Sequence, residues 1–359
     1  MKNIGTLFKI TAVAIAAAFT VSCAPKGESF NFSAMRTGVT AEVYGETFKS
    51  GEKEEITNLI LSLENEFSLF KKNSFTEKFN SAAKNERLKT SEHGEKIFSF
   101  CEKAVSVTGG KFNPTVLPLS ALWKFYPDYP VPDFIPPTEA EINEVLNVRT
   151  GYDKIVRENG EIFKTADGIE LDFGGVLKGY AADEAGKILL ENGHTQGYVN
   201  VGGSSLFILS AESLGIKHPR KNDTVVTVNL KNEKNLSVST SGDYERTYTY
   251  NGKTYCHVID PETGKPADTG VAQVTVIGGA GVLCDAVTTA LMLFRHTPEA
   301  PDETHSELIR GIKKLLSTDE FKSAKIFAVY VGDAHKQIIT NADEKDFTLR
   351  DSEYEIIKI

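Results

Sequence analysis

Two short segments of the chain combine residue types that bind metal ions and phosphate groups. Asp285 and Thr289 lie four positions apart in an apolar stretch, so a helix there would project a carboxylate and a hydroxyl from one face. Hard oxygen ligands at this spacing suit Mg²⁺. In residues 171–181 an apolar strand ends at Asp172, two glycines follow, and Lys178 falls in the first turn of a predicted helix. This second segment is typical of an anion-binding site.

Each of these residues also has a purely structural interpretation. An aspartate at the start of a helix commonly caps it, and a threonine one turn later can simply pack against its neighbours. Lys178 can equally be a solvated lysine on a helix surface. The segment before Asp285, residues 278–281, is Gly-Gly-Ala-Gly, which costs backbone entropy that a capping site does not require. This loop favours the metal interpretation.

Further polar segments have less specific patterns. Residues 108–115 form a glycine turn that runs into a proline turn, and residues 240–244 put two hydroxyls and a glycine between strands. His257 leaves a predicted strand toward a turn, where a near-neutral imidazole can take a proton from an alcohol. Because an isolated histidine in a strand is more often structural, His257 gains a catalytic role only together with the other segments.

The composition describes a globular protein with a substantial core. The chain has 359 residues, 40% apolar and 25% charged, with a formal net charge of -9. This charge argues against nucleic acid as the main partner, because no basic field exists to displace phosphate counterions. An anionic ligand would need local help from a lysine, a helix N-terminus or a metal ion.

The N-terminus has the pattern of an export signal. Lys2 and Lys9 flank the start of an apolar, alanine-rich run over residues 10–20 that is too short to span a bilayer comfortably. We therefore predict a signal peptide over residues 1–22 and an exported mature protein.

Cys23 directly follows Ser22 and resembles the lipidated cysteine of a lipobox. We predict a lipidated Cys23 and a tether over residues 23–33, followed by a catalytic domain over residues 34–359. The protein would then be a membrane-anchored lipoprotein on the extracytoplasmic or periplasmic face. Thr20 is not the usual leucine of a lipobox, so plain cleavage without lipidation stays open.

The other three cysteines are Cys101, Cys256 and Cys284. An odd number without CxxC spacing indicates neither a zinc site nor a disulfide framework. Cys101 and Cys284 lie in apolar helical stretches and are most simply core residues. The exported chain must therefore rely on its apolar core for stability.

Apolar periodicity predicts one large α+β domain, with a mixed and largely antiparallel sheet flanked by helices. Asn251-Gly252 is a strong hairpin signal because both positions tolerate positive φ. Helices are predicted over residues 52–70, 91–107, 139–146, 177–190, 282–294 and 306–316. Strands are predicted over residues 40–44, 155–156, 161–163, 197–201, 206–209, 224–230, 236–240, 244–250, 254–259, 271–277 and 324–331.

In order and approximate spacing, these segments resemble the FAD:protein FMN transferase family, also called ApbE. The matching segments are residues 35–37, 68–70, 110–115, 118–119, 123–125, 172–181, 198–203, 240–244, 257–264 and 285–289. Any one motif is weak, but ten in the same order are hard to obtain by chance. The resemblance covers nearly all of the chain after the predicted tether.

The resemblance implies a transferase that moves FMN from FAD to a threonine hydroxyl of an acceptor protein and releases AMP. It implies that Asp285, Thr289 and the Gly175 carbonyl hold Mg²⁺, and that His257 is the base for the acceptor threonine. FAD, as the substrate, would contact Met35, Phe70, Lys111, Phe112, Asn113, Asp172, Lys178 and Ile259. The acceptor would be an exported or membrane-anchored flavoprotein subunit with a short threonine-containing motif.

The sequence departs from the family pattern at four positions. Phe70 stands where the family often has tyrosine, which keeps a stacking face but loses a hydroxyl. Asn113 stands where many relatives have aspartate, and Leu177 replaces a commoner alanine. Cys256 replaces the first of two adjacent histidines.

Two other functions stay open at this point. With water in place of threonine, the same groups would make an Mg²⁺-dependent FAD pyrophosphatase that yields FMN and AMP. A flavin-binding lipoprotein without turnover would use the same glycine loops, although it would not need both Asp285 and Thr289.

Overall fold

The computed structural model describes the backbone of residues 19–22 and all of residues 27–359. Cys23 and the predicted signal peptide up to residue 18 lie outside the described residues. Lipidation therefore stays a prediction.

The described residues form eight α-helices. They are α1 (Glu52–Phe67), α2 (Phe75–Ser81), α3 (Glu92–Val107), α4 (Leu117–Leu122), α5 (Glu139–Arg149), α6 (Leu177–Glu191), α7 (Gly281–Leu291) and α8 (Glu307–Leu316). Within the described part of the chain, none of these helices is long and apolar enough to cross a membrane.

The strands up to the middle of the chain are β1 (Phe19–Ser22), β2 (Glu28–Ala34), β3 (Thr37–Val43), β4 (Leu88–Lys89), β5 (Ile155–Glu158), β6 (Glu161–Lys164), β7 (Gly197–Val201), β8 (Ser205–Ser210) and β9 (Ser213–Lys217). The later strands are β10 (Thr224–Asn229), β11 (Lys234–Gly242), β12 (Thr247–Tyr250), β13 (Lys253–Cys256), β14 (Val271–Ile277), β15 (Lys325–Val331), β16 (Lys336–Thr340), β17 (Phe347–Leu349) and β18 (Glu355–Lys358).

A central sheet of nine strands has the order β18-β16-β15-β14-β11-β8-β7-β3-β2. Its neighbouring strands are antiparallel except β16 and β18, which are parallel. A second sheet has the order β1-β9-β10-β17, and two small sheets complete the fold. The prediction of an α+β fold with a mixed, largely antiparallel sheet is confirmed.

Helices cover one face of the central sheet, and the second sheet covers the other. On the helical face, Ile60 of α1 and Val287 of α7 share an apolar cluster with Val274 of β14. On the opposite face, Val238 of β11 clusters with Val226 of β10. The core therefore consists of two apolar layers, and burial of these layers is the main favourable term in folding.

The domain begins before residue 34, which corrects the predicted tether. Residues 28–34 form β2, which pairs with β3 along its whole length. Phe30 and Phe32 alternate along β2 and pack against the helical-face core, as the two-residue period of a strand requires. The tether prediction was wrong over residues 28–33. These residues form a strand, and burial of Phe30 and Phe32 against the core holds that strand on the domain.

The local predictions near the site agree well with the structure. Asn251 and Gly252 adopt φ values of 49° and 79° and form the turn between β12 and β13. Helix α6 begins at the predicted residue, Leu177. Helix α7 ends at Leu291, three residues before the predicted end, and turns follow it.

Helices α6 and α7 approach each other closely because both carry glycine at the contact. A Cβ on Gly179 would lie only 2.1 Å from the carbonyl oxygen of Gly281. The first turn of α6 therefore touches the start of α7 through their backbones. This contact brings the two segments with metal- and phosphate-binding residue types together.

We expect Gly179→Ala to lower the free energy of unfolding by about 1–3 kcal/mol, because the added methyl must push two backbones apart. Gly311 in α8 is a matched control, since a Cβ there would meet the Phe294 ring at an ordinary 3.5 Å. Gly311→Ala should stabilise the protein by roughly 0.5–1 kcal/mol through helix propensity. Urea unfolding followed by circular dichroism measures both, and equal effects would contradict the close helix contact.

Candidate functional site

The start of α6 forms one side of the site. Asp172 accepts a hydrogen bond from the Gly174 N–H at 2.7 Å, which shapes the glycine turn before the helix. The Lys178 ammonium donates to the Gly174 carbonyl oxygen at 2.8 Å and lies 3.7 Å from a carboxylate oxygen of Asp285. Lys178 is therefore directed toward α7 and is not simply a solvated lysine.

Helix α7 carries the acid and the hydroxyl, one turn apart as their spacing predicts. Asp285 is the fifth residue of the helix and only 3% exposed, so it does not cap the helix. Its carboxylate accepts a hydrogen bond from the Gly179 N–H at 3.2 Å. Thr289 Oγ1 lies 3.2 Å from the Asp285 carbonyl oxygen and 3.2 Å from Ser241 Oγ. Both side chains are thus held by contacts to α6 and β11.

Gly175 lies beside Thr289 and Phe112. A Cβ built on it would lie 3.8 Å from Thr289 Oγ1 and 3.1 Å from the Phe112 ring, so a side chain there would crowd Phe112. The Asp285 carboxylate, the Thr289 hydroxyl and a main-chain carbonyl at Gly175 are all hard oxygen donors, which fits Mg²⁺. The described residues contain no cluster of three or more His, Cys, Asp or Glu side chains that could hold a metal. A cation at this site would therefore depend on hydroxyl and carbonyl oxygens as well as on one carboxylate.

His257 is half-buried near the ring of Phe125, with 6.4 Å between the ring centroids. Its Nδ1 atom is buried and has no hydrogen-bond partner in the described structure. Burial lowers the pKa of His257 to about 3, and the positive charges of Arg246 and Lys178 contribute to the shift. The imidazole is therefore neutral at physiological pH, which is the form that accepts a proton.

Lys111 is held by two acidic side chains of the protein itself. Its ammonium lies 3.1 Å from Asp260 and 2.8 Å from Glu262. Burial works against the charge of Lys111, but the hydrogen bonds and charges of Glu262 and Asp260 outweigh it and raise the pKa. Ile259 precedes Asp260 and is buried in a separate apolar cluster with Trp123. A phosphate that binds Lys111 would have to compete with these two carboxylates.

Phe70 lies at an exposed rim of aromatic and cationic side chains, next to the turn that carries Met35. Met35 and Arg36 form the turn between β2 and β3, with φ values of 53° and 59°. The Arg36 guanidinium lies 3.9 Å from the centre of the Phe70 ring, and the Tyr126 ring lies 5.6 Å from it. Phe70 remains 47% exposed, so the rim offers a planar apolar surface to a ligand.

Gly202 links this rim to Lys178. A Cβ on Gly202 would lie 3.1 Å from Thr37 Cγ2 and 3.2 Å from Lys178 Cδ. The Gly-Gly segment after β7 therefore borders the same region as the turn that carries Met35.

Phe112 and Asn113 make contacts that are at least partly structural. Phe112 is 4% exposed and lies against Gly175. The side-chain oxygen of Asn113 accepts hydrogen bonds from the Thr115 N–H at 3.0 Å and from the Thr115 hydroxyl at 2.8 Å. Asn113 thus shapes its own turn, and its contact with FAD stays a prediction.

Three residues at the site have roles that the sequence does not reveal. Arg36 covers the Phe70 ring, and no local pattern signals this contact. Ser241 contacts Thr289 from within β11, whereas the sequence predicted that residues 240–242 lie between strands. Asp183 of α6 binds the N-terminus of α7 through the Gly281 N–H.

The fold and the site together define an α+β protein in which two helices meet at a junction suited to a cation and an anionic ligand. The family model of the ApbE family matches residues 35–302. The chain belongs to the ApbE family.

Individual comparisons agree with this assignment. The chain is 27% identical over 244 residues to the FAD:protein FMN transferase of Vibrio cholerae, covering 67% of this chain and 72% of that protein. It is 32% identical over 194 residues to the FAD:protein FMN transferase of Klebsiella pneumoniae, covering 53% of this chain and 59% of that protein. The crystal structure of the ApbE protein of Thermotoga maritima has a TM-score of 0.72 at 28% identity, covering 89% of this chain and 98% of that one.

We expect MgCl₂ to raise the melting temperature of the wild-type protein and to have little effect on Asp285→Asn. The amide preserves the volume of the side chain but removes the charge from the donor set. At about 100 times the dissociation constant, a single bound ion adds roughly 2.7 kcal/mol of stability. Asp319→Ala, which changes a 90% exposed aspartate, is the control and should respond like the wild type. The same shift in Asp285→Asn would rule out this cation site.

Proposed function

We propose that this protein is an Mg²⁺-dependent FAD:protein FMN transferase that attaches FMN to a threonine of an acceptor protein and releases AMP. The observation that carries the proposal is the junction of α6 and α7, where Lys178, Asp285 and Thr289 converge beside Gly175. The curated relatives that carry the same transferase name support the reaction.

FAD would lie along the site, with its flavin at the exposed rim and its pyrophosphate at the start of α6. The 47% exposed ring of Phe70 suits stacking with the flavin, while Lys178 and the start of α6 suit phosphate. The proposed contacts are Met35, Phe70, Lys111, Phe112, Asn113, Asp172, Lys178 and Ile259. Lys111 would exchange at least part of its pairing with Asp260 and Glu262 for the ligand.

Asp285, Thr289 and the Gly175 carbonyl would hold the cation. When bound, Mg²⁺ would neutralise charge on the phosphates and on the departing AMP. The Lys178 ammonium lies 3.7 Å from Asp285 and would add a second positive charge beside the cation. The protein therefore supplies charge complementarity where negative charge develops during the reaction.

His257 would take the proton of the acceptor hydroxyl. The threonine oxygen forms a bond to the FMN phosphorus, the phosphoanhydride bond breaks, and the bridging oxygen leaves with AMP. His257 is neutral, so its imidazole has a nitrogen lone pair that can accept this proton. Phosphate charge near Lys178 would offset one cause of its low pKa and make the imidazole a stronger base.

The proposed transfer is tested by incubating the protein with FAD, Mg²⁺ and a threonine-bearing flavoprotein subunit. Mass spectrometry should show an FMN-sized addition on threonine, together with release of AMP. An acceptor with valine in place of that threonine is the control and should stay unmodified. His257→Ala should slow transfer by about 10²–10⁴-fold. Rapid AMP release without acceptor, and no modified acceptor, would instead establish an FAD pyrophosphatase.

The protein would act outside the cytoplasm, held to the membrane through lipid on Cys23, and would meet exported or membrane-anchored acceptors. Signal cleavage before Cys23 would also remove β1, which is an edge strand that pairs with β9. Its removal leaves the pairing of β9, β10 and β17 unchanged.

Lipidation is tested with Cys23→Ala, which we expect to move the exported protein from the membrane fraction to the soluble fraction. Labelling with a fatty acid should mark the wild type, and Cys101→Ala, which changes a buried core cysteine, should retain the label. An unlabelled wild type would show plain cleavage instead.

A further inference from the structure

Helix α7, which carries Asp285 and Thr289, has no side-chain cap of its own. Ala280 occupies the N-cap position in an extended conformation, and the first turn contains no acidic residue. The N–H groups at a helix start need acceptors, and a side chain at the N-cap position is the usual source. The cap of α7 must therefore come from elsewhere in the fold.

Asp183 of α6 supplies this cap from the neighbouring helix. Its Oδ2 atom accepts a hydrogen bond from the Gly281 N–H at 2.6 Å, and its Oδ1 atom accepts one from the Ser237 hydroxyl at 2.6 Å. A Cβ on Gly281 would lie 2.5 Å from Asp183 Oδ1, so this approach requires glycine. One carboxylate thus joins α6, α7 and β11.

The two helices are then connected at two successive turns of α6. Gly179 donates to the Asp285 carboxylate, and Asp183, four residues later, accepts from Gly281. Two contacts one helical turn apart restrict both the rotation and the sliding of α7 against α6. The position of Asp285 relative to Lys178 depends on this restriction.

We propose that Asp183 is a positioning residue that caps α7 from α6 and thereby keeps Asp285 and Thr289 in the geometry that binds the cation. This inference rests on the proposed metal function of the junction. Burial raises the pKa of Asp183 to about 6, although its hydrogen bonds to Ser237 and Gly281 oppose the shift. At neutral pH the cap is therefore ionised, and its charge also interacts favourably with the N-terminal end of the helix dipole.

A second N-cap on α7 distinguishes a purely stabilising cap from a positioning residue. If Asp183 only stabilises α7, the second cap restores both the melting temperature and Mg²⁺ binding, whereas if Asp183 positions α7, it restores only the melting temperature. Asp183→Ala should lower the melting temperature and weaken Mg²⁺ binding, measured by calorimetry with Mg²⁺ alone, by about 10- to 100-fold. Adding Ala280→Ser gives α7 a local N-cap without a connection to α6. In the double variant we expect the melting temperature to recover and Mg²⁺ binding to stay weak. Glu191→Ala, an exposed change at the end of α6, should match the wild type in both measurements.

Recovery of both stability and Mg²⁺ affinity in the double variant would overturn the positioning role, as would wild-type affinity in Asp183→Ala. If Asp183→Ala does not fold, the double variant Asp183→Asn with Ala280→Ser replaces it. We expect this variant to bind Mg²⁺ more weakly at a near-normal melting temperature. Wild-type Mg²⁺ affinity in this variant would overturn the inference. Failure of the proposed function gives a different result, because the wild type itself would then bind no Mg²⁺ and release no AMP from FAD.

Discussion

The backbone contact between α6 and α7 is the constraint on which the site depends. Gly179 and Gly281 have no side chains, and any Cβ at Gly179 would meet the carbonyl oxygen of Gly281 at 2.1 Å. Only this close approach allows the Gly179 N–H to reach the Asp285 carboxylate. The same approach places Lys178 near the acid. The absence of side chains at the two glycines therefore allows the short distance between the helices. A wider spacing would separate the main-chain groups and short side chains that form the site.

The charged groups at the start of α6 differ from the negative net charge of the whole chain. The formal net charge is -9, which disfavours an anionic ligand at long range. Locally, α6 begins with no side-chain cap and no acid in its first turn, and Lys178 projects from that turn. His257 is neutral because burial and nearby cations lower its pKa to about 3. Lys178 and the uncapped start of α6 are therefore the local groups that can favour an anionic ligand in a chain of negative net charge.

Sequence reasoning succeeded where the signal is local. Asp285 and Thr289 share a helix, and Asn251-Gly252 forms its hairpin, because spacing and turn chemistry determine both. Contacts between distant segments left no such signal. Arg36 reaches Phe70 and Asp183 reaches Gly281 only after the chain has folded, and neither residue type is unusual at its position. β2 differs from these contacts, because the alternation of Phe30 and Phe32 is a local signal of a strand, and the tether prediction there was wrong.

The early start of β2 has a mechanical consequence for a lipid-modified form of the protein. Five peptide units separate Cys23 from Glu28, where the sheet begins. At about 3.5 Å per residue, this segment can separate Glu28 from the lipid-modified cysteine by no more than roughly 18 Å. This distance is shorter than the ~30 Å hydrocarbon core of a bilayer. The catalytic domain would then stay close to the lipid headgroups of the membrane. Substrate proteins that diffuse freely in the surrounding compartment would meet it far less often than those confined to the same surface.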